Sequence, residues 1–154
     1  MLPESIKQLI RNLQILPGVG PKSARRMVTH LLERNRAGAE RLARSILQAL
    51  EKVGRCAHCR NWAEAEVCGV CRSEKRRSSI VCVVESPADV MAVDQTGVYN
   101  GRYFVLHGLL SPLDGVGPDA LGLPALVERL QQPEVEEVIL ALSSTMEGEV
   151  TAQY

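Results

Sequence analysis

The sequence predicts a multidomain α+β protein, with a small helical N-terminal unit, a four-cysteine knuckle, and an α/β domain with a mostly parallel sheet. Three observations support this prediction. Residues 4–53 place apolar side chains at helical spacing, and residues 55–77 hold four of the five cysteines. From residue 78 onward, short β-branched runs alternate with helical patterns, which is typical of a parallel sheet covered by helices.

The helical unit is predicted to contain three helices, at residues 4–13, 21–33 and about 38–53. Each shows an apolar residue every three or four positions, as Ile6, Leu9 and Leu13 do in the first. The segment Leu16–Pro21 interrupts this pattern with two glycines and a proline suited to the first turn of a helix.

The third domain is predicted to alternate strands and helices. Strands are expected at Ile80–Val84, Tyr103–Leu106 and Glu137–Leu142, with helices from Ser86, at about 119–131, and from near Thr145. Ser86, Pro87 and Asp89 have the residue types of an N-cap, a first helical position and a third helical position.

The charged residues are divided unevenly along a chain whose net charge is zero. Residues 1–77 hold 16 Lys/Arg and 7 Asp/Glu, whereas residues 78–154 hold 2 Lys/Arg and 11 Asp/Glu. A basic half indicates a polyanion partner, and an acidic half indicates a divalent metal or a basic protein partner. Drift of surface charge along the chain is the alternative. With the change at residue 77 as one boundary, we expect domains at residues 1–54, 55–77 and 78–154.

The composition excludes several classes of protein. A chain that is 45% hydrophobic and 23% charged is typical of a globular protein rather than a disordered one. An aromatic content of 3% argues against recognition through rows of stacked rings. The longest apolar runs, Ile80–Val84 and Val138–Leu142, are too short for a membrane span or a signal peptide. We therefore expect a cytosolic, soluble chain.

The four clustered cysteines form two Cys-x2-Cys pairs separated by eight residues: Cys56, Cys59, Cys68 and Cys71. Four thiolates with no open position are typical of structural Zn²⁺, so one zinc per chain is predicted. Paired disulfides are the first alternative and are disfavoured in a cytosolic chain, and a redox pair would need no duplicate. His58 is expected to be exposed, and Cys82 to be a small core residue.

The turn before the second predicted helix combines Gly18 and Gly20 with the cations Lys22, Arg25 and Arg26. At helical spacing the three cations share one face, opposite the apolar residues. Free amides at the glycines and the helix start would cradle a phosphate beside Lys22 and Arg26. Contacts of this kind position a nucleic acid backbone and do not select a base sequence. A tight turn with a solvated basic face is the alternative.

The tetrapeptide Gly-Val-Gly-Pro occurs twice, at residues 18–21 and 115–118. The second copy is followed by Asp119, whose carboxylate satisfies a helix N-terminus by itself and repels phosphate. Only the first copy is therefore predicted to bind phosphate, and the second is expected to be a structural or partner-facing loop.

Acidic residues follow two of the predicted strands: Glu85, Asp89, Glu147 and Glu149. The C-terminal ends of parallel strands lie at one edge of a sheet, so these carboxylates are expected to converge there. Such a group would hold Mg²⁺ through oxygen ligands. The alternative is that these acids stabilise helix starts.

Several of these motifs resemble known domains. Residues 16–24 (Leu-Pro-Gly-Val-Gly-Pro-Lys-Ser-Ala) resemble a helix-hairpin-helix element, and the cysteine knuckle follows. Residues 83–89, 106–118 and 147–152 resemble a Toprim domain. In this order, and across essentially the whole chain, the motifs resemble the RecR family of bacterial recombination mediators.

The resemblance implies a DNA-repair protein that is not an enzyme, in the bacterial cytoplasm and associated with the nucleoid. Such proteins form homodimers and ring-like homotetramers around single- and double-stranded DNA without sequence preference. They act with RecO and RecF to help load RecA onto single strands coated with single-strand-binding protein. Carried onto this chain, Lys22 and Arg26 would contact DNA, the four cysteines would hold zinc, and Glu85 with residues 147–149 would face RecO.

Two departures from the related proteins are visible. Catalytic Toprim proteins have an Asp-x-Asp pair where this chain has Glu147-x-Glu149, and the longer side chains argue against efficient phosphoryl transfer. The chain also ends at Tyr154, within a predicted helix and before the usual end of the family, so we expect an incomplete Toprim domain with an exposed sheet edge. A Mg²⁺-dependent nuclease and a pure protein adaptor are the alternative functions.

Overall fold

Three helices make up the N-terminal unit, Met1–Lys52: α1 (Glu4–Leu13), α2 (Pro21–Glu33) and α3 (Arg36–Lys52). The structure is a computed structural model that describes residues 1–154. The bounds of α1 and α2 are those predicted, whereas α3 begins two residues before the predicted start. Asn35 explains this difference, because its Oδ1 accepts a hydrogen bond of 2.9 Å from the Gly38 amide and caps the helix.

The helical unit buries few side chains. Ala24 and Val28 of α2 are buried, and α1 and α3 contain no buried residue. Along α3 the apolar side chains that form its stripe remain exposed: Leu42, Ile46, Leu47 and Leu50. No helix of the chain combines the length and the hydrophobicity needed to cross a bilayer.

The second unit, Val53–Tyr154, begins with the cysteine segment. Two short strands, β1 (Gly54–Arg55) and β2 (Trp62–Ala63), pair antiparallel, and a one-turn helix, α4 (Gly69–Arg72), follows. These elements are too short for a periodic pattern, so the sequence analysis assigned none of them.

The rest of the second unit alternates strands and helices as predicted: β3 (Arg77–Val84), α5 (Pro87–Gln95), β4 (Gly101–Val105), α6 (Leu123–Leu130), β5 (Glu137–Ala141) and α7 (Met146–Gln153). The strands form a parallel sheet in the order β4-β3-β5. Because β3 is central, Cys82 pairs with Tyr103 on one side and with Ile139 on the other. The predicted α+β class with a parallel sheet is confirmed.

The two faces of the sheet support separate hydrophobic clusters. Alternate residues of a strand point to opposite faces, so Val81 and Val83 pack with Leu123 and Leu126 of α6. On the other face, Cys82, 3% exposed, and Val84 pack with Val90 of α5. Cys82 is therefore a core residue, as predicted.

Several element boundaries of this unit differ from the prediction; β4, for example, covers Gly101–Val105 rather than Tyr103–Leu106. Helix α6 begins at Leu123 rather than near residue 119, because Gly122 precedes it with a φ of 66° and its amide donates to Asp119 O at 3.1 Å. Strand β3 begins three residues before Ile80, where the Arg77 amide donates to Asn100 O at 2.8 Å.

Strand β5 lies at one edge of the sheet, and all five of its residues are exposed. Val138, Ile139 and Leu140 are among them, with exposed fractions of 39, 37 and 49%. The β5 edge of the sheet is therefore open to solvent.

Candidate functional sites

The turn into α2 leaves backbone amides available. Gly18 has a φ of 77°, the left-handed region that favours glycine, and Val19 N donates to Leu16 O at 3.1 Å. Gly20 is the N-cap of α2, has no side chain to satisfy the first amides, and is followed by Pro21. The amides of Gly18 and Gly20 donate no hydrogen bond within the chain.

Lys22, Arg25 and Arg26, the hairpin cluster, are exposed on α2. None of the three side chains takes part in an ion pair. The first turn of α2 contains no acidic residue, so neither a carboxylate nor a cap offsets the positive end of the helix dipole. The predicted phosphate-binding residues are thus adjacent, unpaired and open to solvent.

The helical unit contains another Lys/Arg pair four residues apart, and both of its cations take part in ion pairs. In α1, Lys7 Nζ lies 3.7 Å and Arg11 Nη2 lies 2.9 Å from the carboxylate of Glu4. Both cations already contact one carboxylate, so they are a natural reference for the hairpin cluster.

The four predicted zinc ligands meet in one buried cluster. Their Sγ atoms all lie within 4.8 Å of one another, with 3.6 Å between those of Cys59 and Cys68, and none forms a disulfide. Backbone amides point at the sulfurs: Cys68 N donates to Cys56 Sγ at 3.2 Å, and Cys71 N donates to Cys68 Sγ at 3.5 Å. His58 is exposed, as predicted.

The electrostatics of the cluster fit a bound cation. Burial alone would raise the pKa of Cys56, but the amides around it lower that pKa to about 7, which favours a thiolate. The hydrogen bond with Cys71, followed by burial, raises the pKa of Cys59. Several neighbouring thiolates repel one another unless a divalent ion lies among them, so these residues fit Zn²⁺.

Two of the four predicted acidic residues line one pocket of about 490 Å³ at the C-terminal end of β3, the acidic pocket. Glu85 and Glu147 lie in it together with Asp114 and His107. The Ser143 amide donates to Glu85 Oε1. The pocket therefore brings three carboxylates to the edge of the sheet where sites of parallel sheets form.

The other two predicted acidic residues have different surroundings. Asp89 Oδ2 accepts hydrogen bonds of 2.9 Å from both the amide and the hydroxyl of Ser86, which closes a capping box at the start of α5. Glu149 is exposed on α7 and does not line the pocket. The structure thus brings together only Glu85 and Glu147 of this group.

The sequence analysis missed two residues of the acidic pocket, Asp114 and His107. Both lie in residues 107–117, the pocket loop, which has no periodicity and joins β4 to the segment before α6. Ser111 and Val116 form a bridge across this loop, and Ser111 Oγ donates to Asp114 Oδ2 at 2.8 Å. Their one sequence signal was the motif from Leu106 to Pro118.

The second Gly-Val-Gly-Pro copy lies in this same region and forms a loop. Gly115 has a φ of 71°, and no helix starts at residue 119. The identical tetrapeptide at residues 18–21 leads directly into the 13 residues of α2. The prediction of a loop for the second copy is confirmed.

Comparisons with known proteins agree with this arrangement. Residues 6–50 match the family model of the RecR helix-hairpin-helix, residues 53–73 match that of the RecR zinc finger domain with four cysteines, and residues 79–154 match that of the Toprim domain. The "Recombination protein RecR" of Hydrogenovibrio crunogenus is 52% identical over 149 residues, which cover 97% of this chain and 76% of that protein. With the sulfur geometry, the zinc-finger match shows that the four cysteines form a site for one structural zinc.

Proposed function

Because this chain belongs to the RecR family of recombination proteins, we propose that it is a DNA-binding mediator of recombinational repair that catalyses no reaction itself. The observation that supports this best is the hairpin cluster, three exposed cations beside two free glycine amides. Cations and amides that face solvent bind phosphate oxygens, which every DNA sequence presents. The protein therefore binds single- and double-stranded DNA without sequence preference.

The acidic pocket gives the second unit a different role. Glu85, Asp114 and Glu147 surround an open cavity whose negative charge suits a basic protein surface rather than DNA. In this proposal the pocket and the neighbouring Glu149 bind RecO, RecF joins the assembly, and the complex helps load RecA onto single strands coated with single-strand-binding protein. Asp89 supports this face by capping α5 rather than by direct contact.

The proposed protein works as a clamp of two or four copies in the bacterial cytoplasm, at the nucleoid. Exposed apolar residues of α3, among them Ile46 and Leu50 at 52 and 77% exposure, support a contact between subunits. Residues 1–54 form the DNA-binding region of this clamp, residues 55–77 the zinc finger, and residues 78–154 the Toprim domain.

A gel-shift experiment on gapped duplex DNA tests the DNA-binding role. We expect the double variant K22A/R26A to bind at least about tenfold more weakly than the unmodified protein, since two phosphate contacts are lost. The matched control is K7A/R11A, which removes the same two residue types at the same spacing where both cations already contact the Glu4 carboxylate. Equal losses in both variants would contradict a specific role for the hairpin cluster.

The acidic pocket favours a second candidate function, a Mg²⁺-dependent nuclease. Three carboxylates around one cavity are a ligand set that Mg²⁺ accepts. The same gel distinguishes the two candidates when Mg²⁺ is present, because a mediator shifts DNA that remains intact. Cleavage that disappears in E85Q would instead make the chain an enzyme.

A further inference from the structure

A single pair of residues, Arg60 and His107, joins the zinc finger to the acidic pocket. His107 Nε2 lies 2.6 Å from the backbone oxygen of Arg60, and since a carbonyl only accepts, the imidazole donates this hydrogen bond. Arg60 and His107 are also the two non-glycine residues of the chain with positive φ, at 64° and 58°. Two left-handed residues in direct contact persist only where the surrounding structure holds both of them.

The side chain of Arg60 fastens the finger to the sheet. Arg60 directly follows the zinc ligand Cys59, and its Nε donates to Val105 O at 3.1 Å while Nη2 donates to Ala120 O at 3.1 Å. Gly122 leaves room for this side chain, because a Cβ at that position would overlap the guanidinium group. In return, Val105 N donates to Cys59 O at 2.8 Å, so the zinc-binding turn and strand β4 hold each other.

On its other side, His107 belongs to the acidic pocket. It lines the pocket with Glu85, and the next amide along the chain, that of Gly108, donates to Glu85 O at 3.1 Å. Two residues later, Leu110 N donates to Thr151 Oγ1 of α7 at 2.9 Å. His107 therefore lies between the zinc finger and the hydrogen bonds that fix the first residues of the pocket loop.

We propose that Arg60 and His107 are positioning residues of the acidic pocket, and that zinc in the finger thereby determines the shape of that pocket. A segment of about 20 residues has too little apolar side chain to hold its fold without the metal. Once the finger loosens, the Arg60 carbonyl no longer holds the imidazole and the pocket loop is freed. This coupling goes beyond the proposed function and concerns the pocket itself, whichever partner binds there.

Hydrogen exchange of the full chain tests the coupling, with His107→Asn as the main variant. Asparagine adopts positive φ readily but is too short to reach the Arg60 carbonyl, so this change removes the hydrogen bond without adding backbone strain. We expect the Gly108 and Leu110 amides to exchange about fivefold faster, the effect of losing one hydrogen bond. The zinc content and the protection of the Cys82 amide should stay unchanged.

Two further variants complete this experiment. His107→Gln restores a donor of nearly the same reach and is expected to recover most of the protection. His58→Asn makes the same substitution at an exposed position of the finger and is expected to leave the pocket loop unchanged. Unaltered exchange at Gly108 and Leu110 in His107→Asn would overturn the proposal, and so would equal acceleration in His58→Asn.

Removal of zinc with a chelator tests the second half of the proposal. The Gly108 and Leu110 amides are expected to lose protection together with the finger, ahead of the Cys82 amide in the sheet core. A pocket loop that remains protected after the zinc has left would overturn the zinc dependence. Simultaneous loss at Cys82 would overturn it as well, since the metal would then stabilise the whole unit rather than the pocket. These readouts involve neither DNA nor a protein partner, so a failure here is distinct from a failure of the proposed function.

Discussion

Two groups of basic side chains, one in each unit of this protein, have opposite surroundings. The hairpin cluster of the helical unit is exposed and makes no ion pair. In the second unit, Arg60 and Arg129 donate to backbone carbonyls, with Arg129 Nη1 2.8 Å from Tyr103 O, and Arg76 is paired with Asp94. The first group presents its charge to solvent, whereas the second group holds segments of the chain together.

This difference changes what the charge count means. The excess of positive residues in 1–77 includes Arg60 and Arg76, whose hydrogen-bonding groups are occupied within the fold. The free positive charge of residues 1–77 is therefore smaller than the count suggests, and Lys22, Arg25 and Arg26 contribute to it. The predictions below run from the largest expected effect to the smallest.

The largest effect is expected from Cys59→Ser, which removes a zinc ligand. Loss of the fourth thiolate should lower the zinc content from one per chain to near zero and destabilise the finger by several kcal/mol, because the metal replaces a core there. Elemental analysis and thermal unfolding check this result. Cys82→Ala is the control, since Cys82 is the one cysteine outside the cluster and its loss should leave zinc in place.

The next effect concerns the ion pair in the second unit. Arg76 Nη2 and Nη1 lie 2.7 and 3.0 Å from the two oxygens of Asp94, which also accepts from Tyr103 Oη at 2.6 Å. Asp94→Asn should lower the free energy of unfolding by about 2 kcal/mol, because it leaves a half-buried guanidinium unpaired. Glu40→Gln, which breaks the exposed pair with Arg44, should change it by about 0.5 kcal/mol or less. If urea unfolding shows equal losses of stability in the two variants, the half-buried ion pair stabilises the protein no more than the exposed one, which contradicts this prediction.

The pH dependence of stability follows from the same carboxylate. Burial alone would raise the pKa of Asp94, but hydrogen bonds from Arg76 and Tyr103 lower it below its ordinary value of 3.8. A lowered pKa in the folded state contributes stability above pH 3.8, and this contribution is lost as the pH falls through the folded-state value. Unfolding measured between about pH 5 and 2.5 should show this loss in the unmodified protein and a flatter curve in Asp94→Asn.

The smallest effect compares single arginines of the two kinds. Arg25→Ala should weaken DNA binding about three- to tenfold at moderate salt, the effect of one phosphate contact. Arg129→Met should leave DNA affinity unchanged, because the hydrogen bonds of Arg129 go to His58 O and Tyr103 O within the second unit. Fluorescence anisotropy with a labelled oligonucleotide measures both affinities. Similar losses of affinity in the two variants would mean that arginines bonded within the fold also bind DNA.

The sequence predicted those features that depend on neighbouring residues. The cation face of α2 follows from helical spacing, and the cysteine cluster follows from two short repeats, so both appear in the structure as expected. The start of α6 was predicted too early, because no local pattern distinguishes the turn before Gly122 from a first helical turn.

Contacts between distant residues were beyond the sequence patterns. The hydrogen bond between Arg60 and His107 spans 47 positions, and nothing near either residue indicates it. Two sequence signals coincide at Asp89, an acid after a strand end and an acid at the third position of a helix, and the structure shows the second, with the carboxylate bound by Ser86 in a cap. Glu85 and Glu147 reach the pocket because strand β3 ends, and helix α7 begins, at the same edge of the sheet.

The salt dependence of DNA binding tests the central claim most directly. For duplex DNA, the slope of log affinity against log salt should be smaller by about 1.8 in K22A/R26A than in the unmodified protein, because two fewer counterions are released. In K7A/R11A the slope should change much less, since both of those cations already contact the Glu4 carboxylate. The same slope in all three proteins would contradict the claim that the hairpin cluster binds the DNA backbone.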